Sequence, residues 1–166
     1  MFEVKNSYSL NNISSLKNLS IIRLFCEAYE SFPSLEFVSC CEKLQKLWLR
    51  GIIEKLPNLF SNSITKLVLW DSLLTKDPMP ILGMLSNLRN LDLISSYAGK
   101  EIMCNDNSFS QLEFLQLEDP RNLERWYLGT SVMSLIKGLG IHYCPNLKEI
   151  PERTKDVELL KRNYMW

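Results

Sequence analysis

The amino-acid sequence predicts a solenoid of the α/β class, in which short parallel strands line a concave face and irregular connections cover the convex face. Apolar residues recur on the spacing φxxφxxφxφ, and this pattern returns every 20 to 25 residues. The segments between these runs are rich in Pro, Ser, Asn and Gly. This spacing, with a period of roughly 20 to 29 residues, is typical of leucine-rich repeats. The predicted fold is therefore a leucine-rich-repeat horseshoe.

Six units follow this pattern along the chain. Their first apolar positions are residues 16, 41, 61, 85, 109 and 133. In the second unit, Leu47 and Leu49 should point into the core and Trp48 outward, because successive side chains of a strand alternate. One unit cannot bury its own leucines, so the units should stack and pair their strands in one parallel sheet. We expect these strands to be centred near residues 23, 48, 68, 92, 116 and 140.

The connections on the convex side are predicted to be loops and short helical turns. Segments such as KDPMPILGM and SSYAGKEIMCNDNS contain the residues that form turns and interrupt regular structure. The unit that runs from residue 41 to residue 61 is the shortest of the repeats. We therefore expect the tightest convex turn in this unit.

The repeats divide the chain into three predicted segments. Residues 1–15 form an N-terminal flank or partial repeat, residues 16–152 form the repeat domain, and residues 153–166 form a truncated repeat or cap. Terminal repeats of solenoids are normally covered by a polar cap, and neither end of this sequence reads as one. We therefore expect the chain to be a fragment, a truncated gene product or a gene model cut from a longer solenoid.

The composition favours a globular chain in a reducing compartment. Lys plus Arg and Asp plus Glu number 19 each, so the net charge offers no overall attraction to nucleic acid or an anionic membrane. No segment approaches the roughly 20 apolar residues of a membrane span, and the first residues lack a secretory signal. The five cysteines follow no paired framework. These features predict a cytoplasmic protein with free thiols.

The sequence predicts neither an enzyme nor a cofactor or metal site. The single histidine, His142, should face outward, whereas Cys144 falls at an inward turn position, so the two should not share a site. One histidine and scattered cysteines do not supply the three or four ligands of a zinc site. A GxxxxGK[ST] phosphate loop is also absent from the sequence.

The outward positions of the predicted strands form the candidate binding surface. Aromatic and cationic side chains concentrate in the first three units, whereas the later units are mildly acidic. Tryptophan beside arginine is typical of protein-binding hot spots, because large rings gain from desolvation and guanidinium groups pair with carboxylates. The predicted partner-binding residues are Arg23, Phe25, Lys46, Trp48, Arg50, Lys66, Trp70, Asp92, Phe114 and Glu118.

Two other interpretations of this surface remain open. The tryptophans could serve only packing, by covering the stems of neighbouring side chains or by contacting a further domain. Cations interleaved with aromatic rings also bind single-stranded nucleic acid. The neutral net charge and the acidic later units disfavour that role, so no nucleic-acid partner is expected.

The later repeats resemble a known family. The motifs KLVLWDSLLTKDPMPILGMLSNLRNLDL, SYAGKEIMC, FSQLEFLQLED, LERWYLG and IHYCPNLKEIPE occur in this order. They are similar to the last repeats of plant coiled-coil nucleotide-binding leucine-rich-repeat (NLR) disease-resistance proteins. The resemblance extends over residues 35–155 and more loosely over the first 30. Nucleotide binding is not carried over to this chain, because it lacks the phosphate loop.

The resemblance implies a protein-recognition and autoinhibitory module of an intracellular immune receptor. Its partners would be a pathogen effector or a monitored host protein and, in the full-length receptor, the nucleotide-binding domain. The cationic, aromatic first half would dock on an acidic nucleotide-binding domain, and the second half would help to read the pathogen protein. The alternative is a free-standing cytosolic leucine-rich-repeat adaptor or scaffold without a receptor role.

Overall fold

A computed structural model of the chain describes residues 18–26 and 30–159. The described residues do not include the predicted N-terminal flank, the first repeat position at residue 16 or residues 160–166. No helix in the described part of the chain is both long enough and apolar enough to cross a bilayer. The strands are β1 (Ile21–Phe25), β2 (Lys46–Arg50), β3 (Lys66–Trp70), β4 (Asn90–Ile94), β5 (Glu101–Cys104), β6 (Phe114–Glu118), β7 (Arg125–Leu128), β8 (Gly138–His142) and β9 (Glu158–Leu159).

The main sheet is parallel and has the strand order β1-β2-β3-β4-β6-β8-β9. The first six of these strands pair residue for residue, so that Leu47 of β2 lies between Ile22 of β1 and Leu67 of β3. All six are centred where the repeat spacing predicted them. The leucine-rich-repeat solenoid is therefore confirmed. The short strand β9 pairs with β8 and extends the sheet.

One continuous apolar core lies behind the main sheet. Leu47, Leu67, Leu91 and Leu115 are each 0% exposed, because they face inward at equivalent positions of four adjacent strands. Full burial of one such side chain contributes about 1.5 to 3 kcal/mol. The stacked units thus bury leucines that no single unit could remove from water.

The residue that follows a main-sheet strand turns the chain sharply out of the sheet. Its backbone φ is positive in five successive units, at Gly51 (138°), Asp71 (53°), Ser95 (44°), Asp119 (54°) and Tyr143 (51°). Hydrogen bonding continues at these positions, since the Asp71 N–H donates to the Ile94 carbonyl at 3.0 Å. At Gly51 a side chain would also collide with Cys26, whose Cβ would lie only 2.7 Å from an added Cβ. Glycine is therefore required there.

The convex side varies from one connection to the next. It carries a 3-10 helix at Glu36–Cys40 and the short helix α1 at Met79–Leu82, as predicted, and a further 3-10 helix lies at Glu152–Thr154 near β9. The prediction of loops and helical turns was incomplete, because β5 and β7 form a separate two-stranded parallel sheet on this side. The connection from β2 to β3 holds neither a helix nor a named strand, which agrees with the short second unit.

Charged side chains link equivalent positions of successive units outside the core. Glu113 accepts from Arg89 at 2.6 Å and from Lys137 at 2.7 Å. Both partners lie 24 residues away, which is the length of one repeat. Such pairs of opposite charge disfavour a slipped stacking of the units, because any shift brings different residues opposite one another.

Candidate functional site

Trp48 lies between two cations on the outward face of the main sheet. The guanidinium carbon of Arg23 lies 4.5 Å from the centroid of the indole ring, and the ammonium nitrogen of Lys66 lies 5.9 Å from it. Arg23 is the cross-strand neighbour of Trp48, so the strand register places the two side chains together. The electron-rich face of an indole attracts cations at these distances. These contacts hold the half-buried ring in place.

A second stack lies beside the first, at the strand ends. The guanidinium carbon of Arg50 lies 4.5 Å from the Trp70 ring centroid, and Arg50 and Trp70 are again cross-strand neighbours. The Arg50 Nε also donates to Asp71 Oδ2 at 3.3 Å. Arg50 is therefore held by both the Trp70 ring and the Asp71 carboxylate. We call the set Arg23, Lys46, Trp48, Arg50, Lys66 and Trp70 the Trp–Arg surface.

Asp92 of β4 closes the Trp–Arg surface on its later side. Its carboxylate lies 3.4 Å from the Lys66 ammonium group, and both side chains are largely shielded from solvent. Burial raises the pKa of Asp92 above its ordinary value, and the attraction of Lys66 offsets only part of that effect. A carboxylate with a raised pKa is a candidate functional group, although structural ion pairs also show this behaviour.

The remaining predicted site residues have different environments. Lys46 is exposed on β2, and Phe25 and Phe114 are half-buried. The expectation that Glu118 is an accessible contact requires correction, because its side chain is 3% exposed. It lies between Ile94 and His142 in the register and accepts a hydrogen bond from the Gln116 amide at 3.1 Å. This side chain is therefore shielded from solvent, although it belongs to the outward row.

Asp71 is part of the site and was missed by the sequence analysis. It follows Trp70 directly, and its left-handed backbone places its carboxylate beside Arg50. The register was a usable signal, since Arg50 pairs with Trp70 and the next residue must therefore lie near the same strand end. Sequence reasoning assigned only strand positions to the surface, so a residue just beyond a strand was left out.

The pair of His142 and Cys144 does not form a catalytic arrangement. The Cys144 thiol donates to the backbone carbonyl of His142 at 3.4 Å rather than facing the imidazole ring. Burial raises the pKa of Cys144 to about 11, so the thiol is protonated near neutral pH. All five cysteines are free thiols in the structure. Among residues 18–26 and 30–159, no group of three or more acidic, histidine or cysteine side chains is placed to hold a metal ion.

The fold and this surface define a class, the leucine-rich-repeat solenoids that display aromatic and charged side chains on a concave sheet. No protein-family model matches the chain, and no solved structure matches it. Among curated relatives, the chain is 33% identical to Probable disease resistance protein At1g59620 of Arabidopsis thaliana, over 93% of this chain and 18% of that protein. It is 30% identical to Disease resistance RPP8-like protein 3 of the same plant, over 93% of this chain and 17% of that protein.

A third relative is Disease susceptibility protein LOV1 of Arabidopsis thaliana, at 29% identity over 83% of this chain and 16% of that protein. The chain therefore spans less than a fifth of the length of these relatives. The resemblance drawn from the repeat motifs is confirmed: this chain is homologous to a segment of plant disease-resistance proteins of the NLR type.

Proposed function

We propose that this chain is a protein-recognition and autoinhibitory module of a plant immune receptor, and that it acts in the cytoplasm through its Trp–Arg surface. The observation that carries the proposal is the pair of stacks in which Arg23 covers Trp48 and Arg50 covers Trp70, each at 4.5 Å. Homology to disease-resistance proteins supports the receptor context. The role is binding and not catalysis.

The stacked arrangement suits a partner-binding surface for an energetic reason. Immobilising a long side chain on association costs about 0.5 to 1.5 kcal/mol, and this cost falls when the side chain is already held. Arg23, Arg50 and Trp48 are held by cross-strand contacts before any partner arrives. Tryptophan and arginine are also the residues whose truncation most often weakens protein complexes.

The autoinhibitory part of the proposal concerns the same surface. In a full-length receptor, a contact between this surface and the nucleotide-binding domain would hold the receptor inactive, and a pathogen effector or monitored host protein would compete for the surface or bind the later units. Either role requires that the surface be accessible, and Lys46 and Arg50 are exposed. The leucines of the core do not take part in the contact.

The test is a triple substitution, Trp48→Ala, Arg50→Ala and Trp70→Ala, in a full-length resistance protein that carries this chain. We expect the circular dichroism spectrum of the isolated variant to match that of the parent, because outward side chains do not close the core. In leaves, the receptor should either cause cell death without a pathogen, which indicates lost autoinhibition, or fail to respond to one. Both outcomes identify a contact surface.

A matched control is available on the convex side. Met103 and Tyr127 are exposed cross-strand neighbours on β5 and β7, so Met103→Ala with Tyr127→Ala removes two exposed side chains away from the Trp–Arg surface. This control receptor should behave as the parent in both assays. A folded triple variant that also behaves as the parent would show that the tryptophans serve only packing, and the proposal would then be rejected.

A further inference from the structure

The four cations of the Trp–Arg surface differ in whether the chain itself neutralises them. Arg50 is paired with Asp71 at 3.3 Å, and Lys66 is paired with Asp92 at 3.4 Å. Arg23 and Lys46, by contrast, form no ion pair with any residue in the described ranges. Within residues 18–26 and 30–159, the uncompensated positive charge of the surface therefore lies at Arg23 of β1 and Lys46 of β2.

We propose that Arg23 and Lys46 form the docking site for an acidic segment of a partner protein. In the same proposal, Asp71 and Asp92 act as internal competitors that occupy Arg50 and Lys66 and confine acidic binding to the first two strands. This inference rests on the proposed function, because it uses the same surface, and it adds the chemistry of the partner and the place where it binds.

The stack on Trp48 leaves Arg23 suited to a carboxylate. A guanidinium group that lies with its face on an indole keeps its N–H donors at the edge, where they can form two parallel hydrogen bonds to one carboxylate. At Arg50 the equivalent edge is taken, since Nε donates to Asp71. The two stacks therefore look alike but differ in the ligand that they can accept.

The spacing of Arg23 and Lys46 suggests the form of the acidic segment. Lys46 lies opposite Ile21, two residues before Arg23 on the neighbouring strand. With about 4.8 Å between strands and about 6.7 Å for two residues along a strand, the two backbone positions lie roughly 8 Å apart. Carboxylates on alternate residues of an extended chain are separated by about 6.7 Å, which the long cationic side chains can match.

The carboxylates of Asp71 and Asp92 also explain why the site should not extend along the sheet. An incoming carboxylate near β3 would meet Asp92 as well as Lys66, and like charges offset the attraction. A partner carboxylate that displaces Asp71 or Asp92 gains binding free energy only if its new ion pair is stronger than the internal ion pair that it replaces. Removal of Asp71 and Asp92 should therefore enlarge the acidic-binding site from two strands to three.

The experiment uses the blocked peptide Glu-Ala-Glu-Ala-Glu as the probe, with Gln-Ala-Gln-Ala-Gln as the uncharged control. Dissociation constants would be measured by NMR titration of the full chain at low ionic strength. Arg23→Gln and Lys46→Gln should each weaken binding by a factor of about two to five, the range of single exposed ion pairs. Arg50→Gln and Lys66→Gln should have smaller effects, and the double variant Asp71→Asn with Asp92→Asn should bind the acidic peptide more tightly.

Lys137→Gln provides the matched control, because it neutralises a lysine that lies outside the Trp–Arg surface and pairs with Glu113. It should bind as the parent does. Equal losses at Arg23 and Arg50, no gain in the Asp71 and Asp92 double variant, or equal binding of the glutamine peptide would overturn the inference. Suppose that one of these contradicting results is obtained. If the triple variant Trp48→Ala, Arg50→Ala and Trp70→Ala still changes receptor behaviour in leaves, only this inference fails. If the triple variant behaves as the parent, the proposed function fails as well.

Discussion

Different features of the sequence specify the concave sheet and the convex connections of this solenoid. The strands of the sheet from β1 to β8 keep the same residue-for-residue register although the connections between them differ in length. The connections do not share one structure: one holds a 3-10 helix, one holds α1, two hold the paired strands β5 and β7, and one holds none of these. Repeated leucines therefore specify the sheet, whereas individual polar contacts specify each connection.

The helix and second sheet of the convex side illustrate this difference. Asp77 accepts from the backbone N–H of Met79 at 2.9 Å, next to α1, and from the backbone N–H of Met103 at 2.7 Å, on β5. A single carboxylate thus joins the start of a helix to the edge of the small sheet.

The largest effect is expected for an inward leucine of the sheet. Leu91→Ala removes a side chain that is 0% exposed in the central strand β4, so it should lower the free energy of unfolding by about 2 to 5 kcal/mol. The exposed, outward-facing Lys46→Ala should change it by less than about 0.5 kcal/mol. Urea denaturation of both variants checks this, and similar losses at the two positions would disprove the assignment of faces.

An intermediate effect is expected on the convex side. Asp77→Ala removes the acceptor of two backbone N–H groups. Loss of the part-buried bond to Met79 should cost at most about 1 to 3 kcal/mol, whereas water can replace the exposed bond to Met103. The Met103 amide should then exchange its hydrogen faster, while amides of β4 keep their protection. The adjacent exposed Lys76→Ala is the control and should leave the exchange unchanged. Uniform loosening of the main sheet in Asp77→Ala would contradict the separation of the two regions.

The smallest effect concerns the pH dependence at Asp92. Burial raises the pKa of Asp92 in the folded chain above its ordinary value of 3.8, so the folded state binds this proton more tightly than the unfolded state does. Stability must therefore fall as pH rises from the ordinary pKa through the raised one. Asp92→Asn should remove this fall in stability. The measurement compares the free energy of unfolding of the parent and of Asp92→Asn across the pH range from the ordinary pKa to the raised pKa. A variant that loses stability with rising pH as the parent does would contradict this origin.

The main sheet could be predicted because its determinants repeat. Leu47, Leu67 and Leu91 obey one spacing, and the in-and-out alternation of a strand then fixes which neighbours face outward. The small sheet could not be predicted by that rule. Its strands EIMC and RWYL lie within segments rich in turn residues, and only the 24-residue offset of Ile102 and Trp126, both buried, indicated a second repeated strand.

The candidate site was predictable in position but not in chemistry. Register placed Arg23 beside Trp48 and Arg50 beside Trp70, as the outward rows of the sequence indicated. Sequence reasoning could not tell that Glu118 is covered, because burial on the outward face depends on how neighbouring side chains lie across it. It also could not separate neutralised from uncompensated cations, since the ion pair of Arg50 uses a residue outside the strands.

The most direct test of the Trp–Arg surface as a contact region is hydroxyl-radical footprinting of a full-length resting receptor that carries this chain. Oxidation of Trp48 and Trp70 would be compared between the receptor and the isolated chain, with Met103 and Tyr127 on the convex side as internal references. We expect the two tryptophans to be protected in the receptor, while the references react equally in both samples. Equal oxidation of Trp48 and Trp70 in the receptor and in the isolated chain would contradict docking through this surface.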